Sequence, residues 1–259
     1  MQRAGKCCKD SHQKRGGGDE DLLLFSRRGQ GEKSSLLWYV VIMDEESRKL
    51  LMVGARGFGH PLSEEAVEAF AVYLRELLKW NEKMNLTAIR TEREIVLKHF
   101  VDSLSLLPHL SEAETLLDMG SGAGFPGIPL KIVKPRLRIV LLDSVRKKVD
   151  FQRHILRTLS LSDIEAVHGR AQEQSIIEGL GKRFDVVVSR AFADLQVFLK
   201  LSLPFLRPCG KAIAMKGKVT DEVIQGFRED IKAPYVLEGI FRFVLPRTTL
   251  QRTLLVFRR

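Results

Sequence analysis

Apolar residues in the first half of the folded part of the chain recur at helical spacing. They lie at Leu62, Ala66, Phe70, Leu74 and Leu77. This spacing places them on one face of a helix, which can pack on a core. The Ser63 hydroxyl can accept a hydrogen bond from the first turn, and acids at positions 64 and 65 suit the positive end of a helix. The pattern therefore predicts a helix that begins after Ser63.

A second helix is predicted downstream of the first. Thr91 and Glu94 have the T-x-x-E spacing of a capping box, and an apolar pattern continues from there through Leu107. The stretch between the two helices, WNEKMNLTAI over residues 80–89, favours a turn. We expect two helices joined by this turn.

Short apolar runs replace the helical pattern in the second half of the chain. The runs predict strands at residues 116–118, 138–142, 164–168, 184–188 and 211–215. Helical segments are predicted between some of them, at residues 128–133, 148–160 and 195–206. This alternation is typical of a doubly wound parallel sheet. Residues 236–244 and 252–258 also resemble strands and have no helix between them, so they predict a terminal antiparallel hairpin.

Composition indicates a soluble globular protein and sets few further limits. Of the 259 residues, 44% are hydrophobic and 29% are charged. The longest apolar run, residues 36–43, is far shorter than the roughly 20 residues that span a bilayer. Cys7, Cys8 and Cys209 show neither a disulfide framework nor the spacing of metal ligands. We therefore expect a cytoplasmic protein without a membrane span or a bound metal.

The net charge of +10 suggests a polyanionic partner. Residues 1–42 hold eight Lys or Arg and five Asp or Glu, so most of the excess charge lies in the rest of the chain. A basic surface of this kind commonly binds nucleic acid. RNA or DNA is therefore a candidate partner.

The sequence suggests three regions. Residues 1–45 are mostly polar and contain a glycine triplet, so we expect a disordered or poorly ordered extension. Met43 is an alternative translation start. Residues 46–112 form a helical region, and residues 113–259 form the domain with the parallel sheet.

The segment LLDMGSGAGFPGIP, residues 116–129, carries the first candidate chemistry. An apolar strand ends on Asp118, and glycines follow at Gly120, Gly122 and Gly124. Gly122, Gly124 and Gly127 fit the G-x-G-x-x-G pattern of dinucleotide sites. Read from Asp118, the same segment is D-x-G-x-G-x-G and resembles the first motif of S-adenosylmethionine-dependent methyltransferases. Because a carboxylate suits a cationic methionine group better than a pyrophosphate, Asp118 favours the second interpretation.

Asp143 strengthens the prediction of a nucleotide site. It ends the strand over residues 138–142 and lies 19 residues beyond Gly124. A doubly wound fold places a ribose-binding carboxylate at about this distance from its glycine loop. Asp143 could also serve only to cap the next helix. The two roles are compatible.

His99, Asp102 and Ser103 share one face of the second predicted helix. A serine hydrolase is disfavoured, because triad members rarely come from one helical turn and the chain has no nucleophile elbow. We expect a hydrogen-bonded helix face near the pocket instead.

From about Leu50 onward, the chain resembles the bacterial small-subunit ribosomal RNA methyltransferase G family. The matching motifs, in order, are WNEKMNLTAI at 80–89, HFVDSL at 99–104, the glycine loop, LLDS at 141–144, SRAFA at 189–193 and MKG at 215–217. The resemblance implies a class I S-adenosylmethionine-dependent methyltransferase fold. This fold is Rossmann-like, with a mainly parallel seven-stranded sheet and an antiparallel C-terminal strand. Members methylate N7 of a guanosine in a loop of 16S ribosomal RNA.

The resemblance also implies the cofactor-binding residues. Gly120, Gly122 and Phe125 would line the pocket, and Ala171 with Gln172 would meet the adenine. The family often has glutamate where this chain has Gln172. Arg190 matches a cofactor-site arginine, although it could instead form a surface ion pair with Asp185 or Asp194. The expected partner is 16S ribosomal RNA or the small subunit, bound by a monomer.

Guanine N7 carries an exposed lone pair, so its methylation needs alignment rather than a general base. We therefore predict no catalytic base, and the positioning candidates are Arg190, Lys216, His99 and Asp102. Candidates to bind RNA phosphates are Lys216, Arg146, Lys147 and Lys148.

Three alternative functions remain open. One is a methyltransferase that acts on another RNA, a protein or a small molecule. A nicotinamide dehydrogenase is a second, although only some 130 residues follow the glycine loop and the sheet uses them. A catalytically inert RNA-binding module would explain the charge, but not Asp118, Asp143 and the glycine loop together.

Overall fold

A seven-stranded sheet runs through the protein, with strand order β3-β2-β1-β4-β5-β7-β6. The computed structural model of the chain describes residues 43–111, 114–190, 192, 194–230 and 234–259. The strands are β1 Thr115–Met119, β2 Arg138–Asp143, β3 Ile164–His168, β4 Phe184–Ser189, β5 Leu206–Lys216, β6 Val236–Val244 and β7 Gln251–Arg258. β7 is antiparallel to β5 and to β6, whereas β1 to β5 pair in parallel. The predicted fold class and terminal hairpin are confirmed.

The first two helices before the sheet each begin directly after a residue whose side chain caps the helix. α1 is Glu45–Gly57, and Asp44 accepts a 2.7 Å hydrogen bond from the Ser47 amide at its start. α2 is Glu64–Met84, and the Ser63 hydroxyl accepts from the Ala66 amide as predicted. The predicted turn at residues 80–89 is wrong in its first half. The helix continues to Met84 and ends at Asn85, which adopts the left-handed conformation with φ 49°.

The third helix, α3, differs from the prediction in its interior. It is an α-helix over Glu92–Ile95, a π-helix over Val96–Val101 and an α-helix again over Asp102–Leu104. A short 3₁₀ turn, Leu107–His109, follows. The predicted capping box is not formed through the backbone, because Thr91 Oγ1 donates to Glu94 Oε2 at 3.0 Å. A π-helical segment is rare and often lies at a functional site.

In the described part of the chain, five helices lie between or beside the strands, and one of the three predicted ones is shorter than expected. They are α4 Gly127–Val133, α5 Arg146–Thr158, α6 Gln174–Leu180, α7 Leu195–Ser202 and α8 Asp221–Asp230. The helix predicted at 195–206 ends at Ser202 because β5 already begins at Leu206. The predicted strand at 211–215 is correspondingly longer. The pattern did not predict α1, α6 or α8.

Two apolar layers cover the faces of the sheet. Leu116 belongs to one layer and its neighbour Leu117 to the other, as expected for successive residues of a strand. The first layer also contains Leu50, Phe70 and Phe100 from the helices before the sheet. The helices before the sheet therefore pack on the sheet through this layer, and the described residues from Met43 onward belong to one compact unit.

The described residues begin at Met43, shortly before the predicted boundary at 45/46. The Met43 side chain is 5% exposed and belongs to the core. The expected disorder of the preceding residues lies outside the described part of the chain. Among the described residues, no helix is long and apolar enough to cross a membrane, and no cluster of His, Cys, Asp or Glu could hold a metal ion.

Candidate active site

A cavity of about 390 Å³ opens at the carboxyl ends of β1, β2 and β3. The strand order reverses between β1 and β4 at this edge of the sheet, and ligands of open α/β folds bind at such a point. The lining includes four predicted site residues, Gly120, Asp143, Ala171 and Gln172. A second cavity of about 500 Å³ lies at the amino ends of the strands, at the opposite edge from the glycine loop.

The glycine loop is shaped by close packing on one side and open space on the other. A Cβ on Gly124 would lie 2.4 Å from Ile128 Cδ1, and the φ of Gly124 is +100°. A Cβ on Gly122 would meet nothing within 4 Å, although its φ of +62° also favours glycine. The loop therefore leaves room beside Gly122 for a ligand to approach the backbone.

Asp143 connects the glycine loop to the start of α5. Its Oδ2 accepts from the Gly122 amide at 2.7 Å, and its Oδ1 accepts from the Val145 amide at 2.8 Å. The residue is 7% exposed and lines the cavity. Each carboxylate oxygen can accept a second hydrogen bond, so Asp143 can bind two ribose hydroxyls while it holds both backbone segments. The predicted helix-capping role of Asp143 is wrong, because the N-cap of α5 is Val145 and no side chain caps it, and the ribose contact stays a prediction.

Asp118 lies inside the protein and does not line the cavity formed by the described residues. It is fully buried, and its Oδ2 accepts from the Gly127 amide at 2.8 Å. Burial raises the pKa of this carboxyl to about 7, although the Gly127 hydrogen bond opposes the shift. Any contact of Asp118 with the methionine group of a cofactor stays a prediction. Asp118 closes the glycine loop onto α4.

Phe125 is buried in an aromatic cluster beside the cavity. It is 3% exposed and stacks on His99, with ring centroids 4.4 Å apart and planes 12° apart. The Arg190 Cζ lies 5.4 Å from the centre of the Phe125 ring. Phe125 is not among the described residues that line the cavity, so its contact with the cofactor stays a prediction.

Arg190 leaves the carboxyl end of β4 and contacts α3. Its Nη1 donates to Asp102 Oδ2 at 3.3 Å and to the Lys98 carbonyl at 3.2 Å, inside the π-helical segment. Asp102 Oδ1 accepts from Arg252 Nε at 3.0 Å. The acidic partner of Arg190 is therefore neither Asp185 nor Asp194.

Asp185 instead forms an ion pair with Arg207. Asp194 accepts a hydrogen bond from the Gln196 amide in the first turn of α7.

His99 is a fixed neutral member of this network. Arg190 Nη2 lies 3.1 Å from His99 Nδ1 and can only donate, so Nδ1 accepts. The Nε2–H then donates to Thr87 Oγ1 at 3.0 Å. Burial, reinforced by the Arg190 charge, lowers the pKa of His99 to about 3. Both ring nitrogens are occupied, so His99 positions Arg190 and is unsuited to proton transfer.

The rest of the predicted helix face is structural. Ser103 Oγ donates to the His99 carbonyl at 2.5 Å, which gives no nucleophile for a hydrolase. On the other side of the network, the Thr87 amide donates to Asn81 Oδ1 at 2.9 Å. Side chains from WNEKMNLTAI, HFVDSL and SRAFA thus meet at one place.

Comparisons with known proteins identify the family of this chain. The sequence profile described as rRNA small subunit methyltransferase G matches residues 66–247. A protein of Acetivibrio thermocellus named Ribosomal RNA small subunit methyltransferase G is 43% identical over 213 residues, which cover 82% of this chain and 88% of that protein. The chain belongs to the ribosomal RNA small subunit methyltransferase G family. A Geobacter metallireducens protein of the same name is 44% identical, over 82% of this chain and 96% of its own length.

Membership in the ribosomal RNA small subunit methyltransferase G family confirms the resemblance and identifies the chain as a methyltransferase. The dehydrogenase and inert-module alternatives are thereby excluded. The cofactor is S-adenosylmethionine, as predicted. The site fits this group, because Gly120 of the glycine loop and the Asp143 carboxylate line one cavity, and open space lies beside Gly122.

The basic residues predicted to bind RNA phosphates lie in two places. Lys216 Nζ donates to the Phe192 carbonyl, and burial lowers the pKa of this lysine. Lys216 therefore holds the segment after β4, and its predicted contact with RNA phosphate stays a prediction. Arg146 and Lys147 are exposed at the start of α5, and Lys148 lines the cavity.

The low pKa of His99 predicts a specific pH dependence of stability. Between pH 6.5 and about 3 the unfolded chain protonates this histidine and the folded protein does not. The unfolding free energy should therefore fall as the pH falls through this window, by up to about 1.4 kcal/mol per pH unit from this group. His99→Gln keeps an acceptor and a donor and should flatten the slope. Urea unfolding of both proteins at several pH values measures the difference, and identical slopes would contradict the prediction.

Proposed function

We propose that this member of the ribosomal RNA small subunit methyltransferase G family methylates N7 of a guanosine in 16S ribosomal RNA. The chemistry of the cavity carries the proposal. The ionisable groups of its described lining are Asp143, Lys148 and Arg170, and both Asp143 oxygens already hold backbone amides. The nearby His99 is neutral and fully hydrogen-bonded. A nucleophile that needs no deprotonation suits such a site, and guanine N7 is one.

The residues perform the reaction by positioning. When bound, S-adenosylmethionine supplies an electrophilic methyl group on a sulfonium. Asp143 would bind the ribose hydroxyls, and the backbone at Gly122 would allow close approach. The N7 lone pair forms the new C–N bond as the C–S bond breaks. The electron pair of the broken C–S bond stays on sulfur. No proton is transferred, so alignment and exclusion of water suffice.

A methyl-transfer assay with purified components tests this proposal. The chain is incubated with labelled S-adenosylmethionine and either naked 16S ribosomal RNA or small subunits. Borohydride reduction followed by aniline cleaves RNA at N7-methylguanosine. We expect label in RNA and a single new cleavage site with at least one substrate. Label at another atom of RNA, or in ribosomal protein, would show that a different methyltransferase activity is correct.

We also propose that the enzyme acts in the cytoplasm as a monomer. The partner is 16S ribosomal RNA or the small ribosomal subunit, which fits the excess of positive charge. Sedimentation of the purified chain would test the oligomeric state.

The first turn of α5 is a candidate RNA contact. It carries Arg146 and Lys147 and no acid, whereas α1, α2 and α8 have acids in their first turns. Cations at the positive end of a helix cost stability, so binding of phosphate would explain their presence. Replacing Arg146 and Lys147 by alanine should weaken RNA binding and lower its salt slope by roughly one to two.

A matched control lies on the same helix. Arg157 is exposed in the last turn of α5, and Arg157→Ala removes one positive charge far from the cavity. RNA affinity is measured at several salt concentrations, and S-adenosylhomocysteine affinity by calorimetry. The double variant should keep its S-adenosylhomocysteine affinity. RNA binding weakened no more than in Arg157→Ala would contradict the role of this turn.

A further inference from the structure

The glycine loop is held by a tyrosine that lies outside the motif. Tyr73 lies on α2, in the helical region before the sheet, and is fully buried. Its hydroxyl donates to the Ala123 carbonyl at 2.5 Å. Its ring stacks on Phe125, with centroids 5.3 Å apart. The hydroxyl also lies 2.9 Å from the position that a Cβ on Gly124 would occupy, so the tyrosine and the loop fit closely.

A glutamine on α5 holds the adjacent part of the loop. Gln152 is fully buried, and its Nε2 donates to Ser121 Oγ and to the Gly122 carbonyl, both at 2.7 Å. The Gly122 amide donates to Asp143. Both polar groups of Gly122 are therefore bound, and the next carbonyl is bound by Tyr73.

We propose that Tyr73 and Gln152 are positioning residues for S-adenosylmethionine. They fix the oxygens of three consecutive loop residues, so the backbone beside Gly122 has its binding conformation before the cofactor arrives. A preorganised site binds more tightly because less ordering is needed on binding. This inference rests on the proposed function, since it concerns the same cofactor site.

A second buried tyrosine provides a matched control. Tyr235 is 7% exposed, and its hydroxyl lies 2.7 Å from Ser202 Oγ. It belongs to the apolar layer on the opposite face of the sheet from Tyr73. Tyr73→Phe and Tyr235→Phe each remove one buried hydroxyl and keep the ring. If Tyr73 were only structural, the two variants would bind cofactor equally well.

The test measures S-adenosylhomocysteine affinity by calorimetry and melting temperature for both variants. We expect similar losses of melting temperature, with Kd increased about tenfold in Tyr73→Phe, equivalent to about 1.4 kcal/mol, and unchanged in Tyr235→Phe. Gln152→Met should also weaken binding. Its control is Arg153→Met, because Arg153 lies next to it on α5 and donates to the Ala166 carbonyl instead.

Three results would be decisive against the inference. Unchanged affinity in Tyr73→Phe and in Gln152→Met would overturn it, as would an equal loss in each control. A wild-type protein that binds no S-adenosylhomocysteine would overturn the proposed function, and this inference with it. The first two results leave the proposed function intact, so the failures can be distinguished.

Discussion

Asp143→Ala is expected to lower the affinity for S-adenosylhomocysteine by at least about a hundredfold, since each lost hydrogen bond to a charged group is worth roughly 1.5–3 kcal/mol. The substitution removes the predicted acceptor for the ribose hydroxyls. It also frees the Gly122 and Val145 amides, which the carboxylate holds at 2.7 and 2.8 Å. The loss should therefore exceed that caused by any residue that contacts only the loop.

Calorimetry with two variants separates binding from folding. Asp150→Ala removes an exposed carboxylate from α5, seven residues further along, and should bind S-adenosylhomocysteine like the wild type. NAD should bind to neither protein. Far-ultraviolet circular dichroism should show that Asp143→Ala keeps the native secondary structure. Wild-type affinity in Asp143→Ala would reduce Asp143 to a residue that only caps the turn before α5.

Asp102→Asn is expected to destabilise the protein by about 3 kcal/mol or more, because it leaves buried charges without a counterion. The Asp102 side chain is 9% exposed and lies between two arginines, each 20% exposed. Burial raises the pKa of Asp102, and the charges of Arg190 and Arg252 oppose this shift. The substitution removes the negative charge and leaves both guanidinium groups with weaker acceptors.

A surface ion pair supplies the comparison. Glu46 lies 3.2 Å from Arg93, but the two side chains are 61% and 46% exposed. Pairs of this kind contribute about 0–1 kcal/mol, so Glu46→Gln should have little effect on stability. The free energy of unfolding in urea measures both variants. Equal effects in the two would show that the Asp102 network contributes no more than a surface pair. Asp102→Asn should also displace Arg190 and thereby weaken cofactor binding.

The sequence predicts the cofactor site best where its signal is local. The glycine loop, the strand before it and Asp143 lie within 30 residues, and the strands extend over five to eleven residues. Their predicted positions agree with the structure to within a few residues. The terminal hairpin is equally local, because two apolar runs lie close together without a helix between them.

What the sequence did not predict depends on contacts between distant residues. Arg190 and Asp102 are 88 positions apart, and Arg252 and Asp102 are 150 apart. Spacing could suggest a polar face on α3, but not which arginines would reach it. The contact of Tyr73 with the glycine loop was not predicted for the same reason. In the sequence, Tyr73 looks like an ordinary apolar-face residue of an amphipathic helix. The complete burial of Asp118 could not be predicted either, because a strand-terminal acid has the same sequence signal whether it points to a ligand or into the loop.

Mapping of ribosomal RNA tests whether this enzyme methylates N7 of a guanosine in the cell. A strain that lacks this gene is compared with its parent by mass spectrometry of 16S ribosomal RNA fragments, and the gene is then restored in wild-type and Asp143→Ala forms. We expect one N7-methylguanosine to disappear in the deletion strain. It should return with the wild-type gene and stay absent with the variant. Persistence of every N7-methylguanosine in the deletion strain would contradict the assignment.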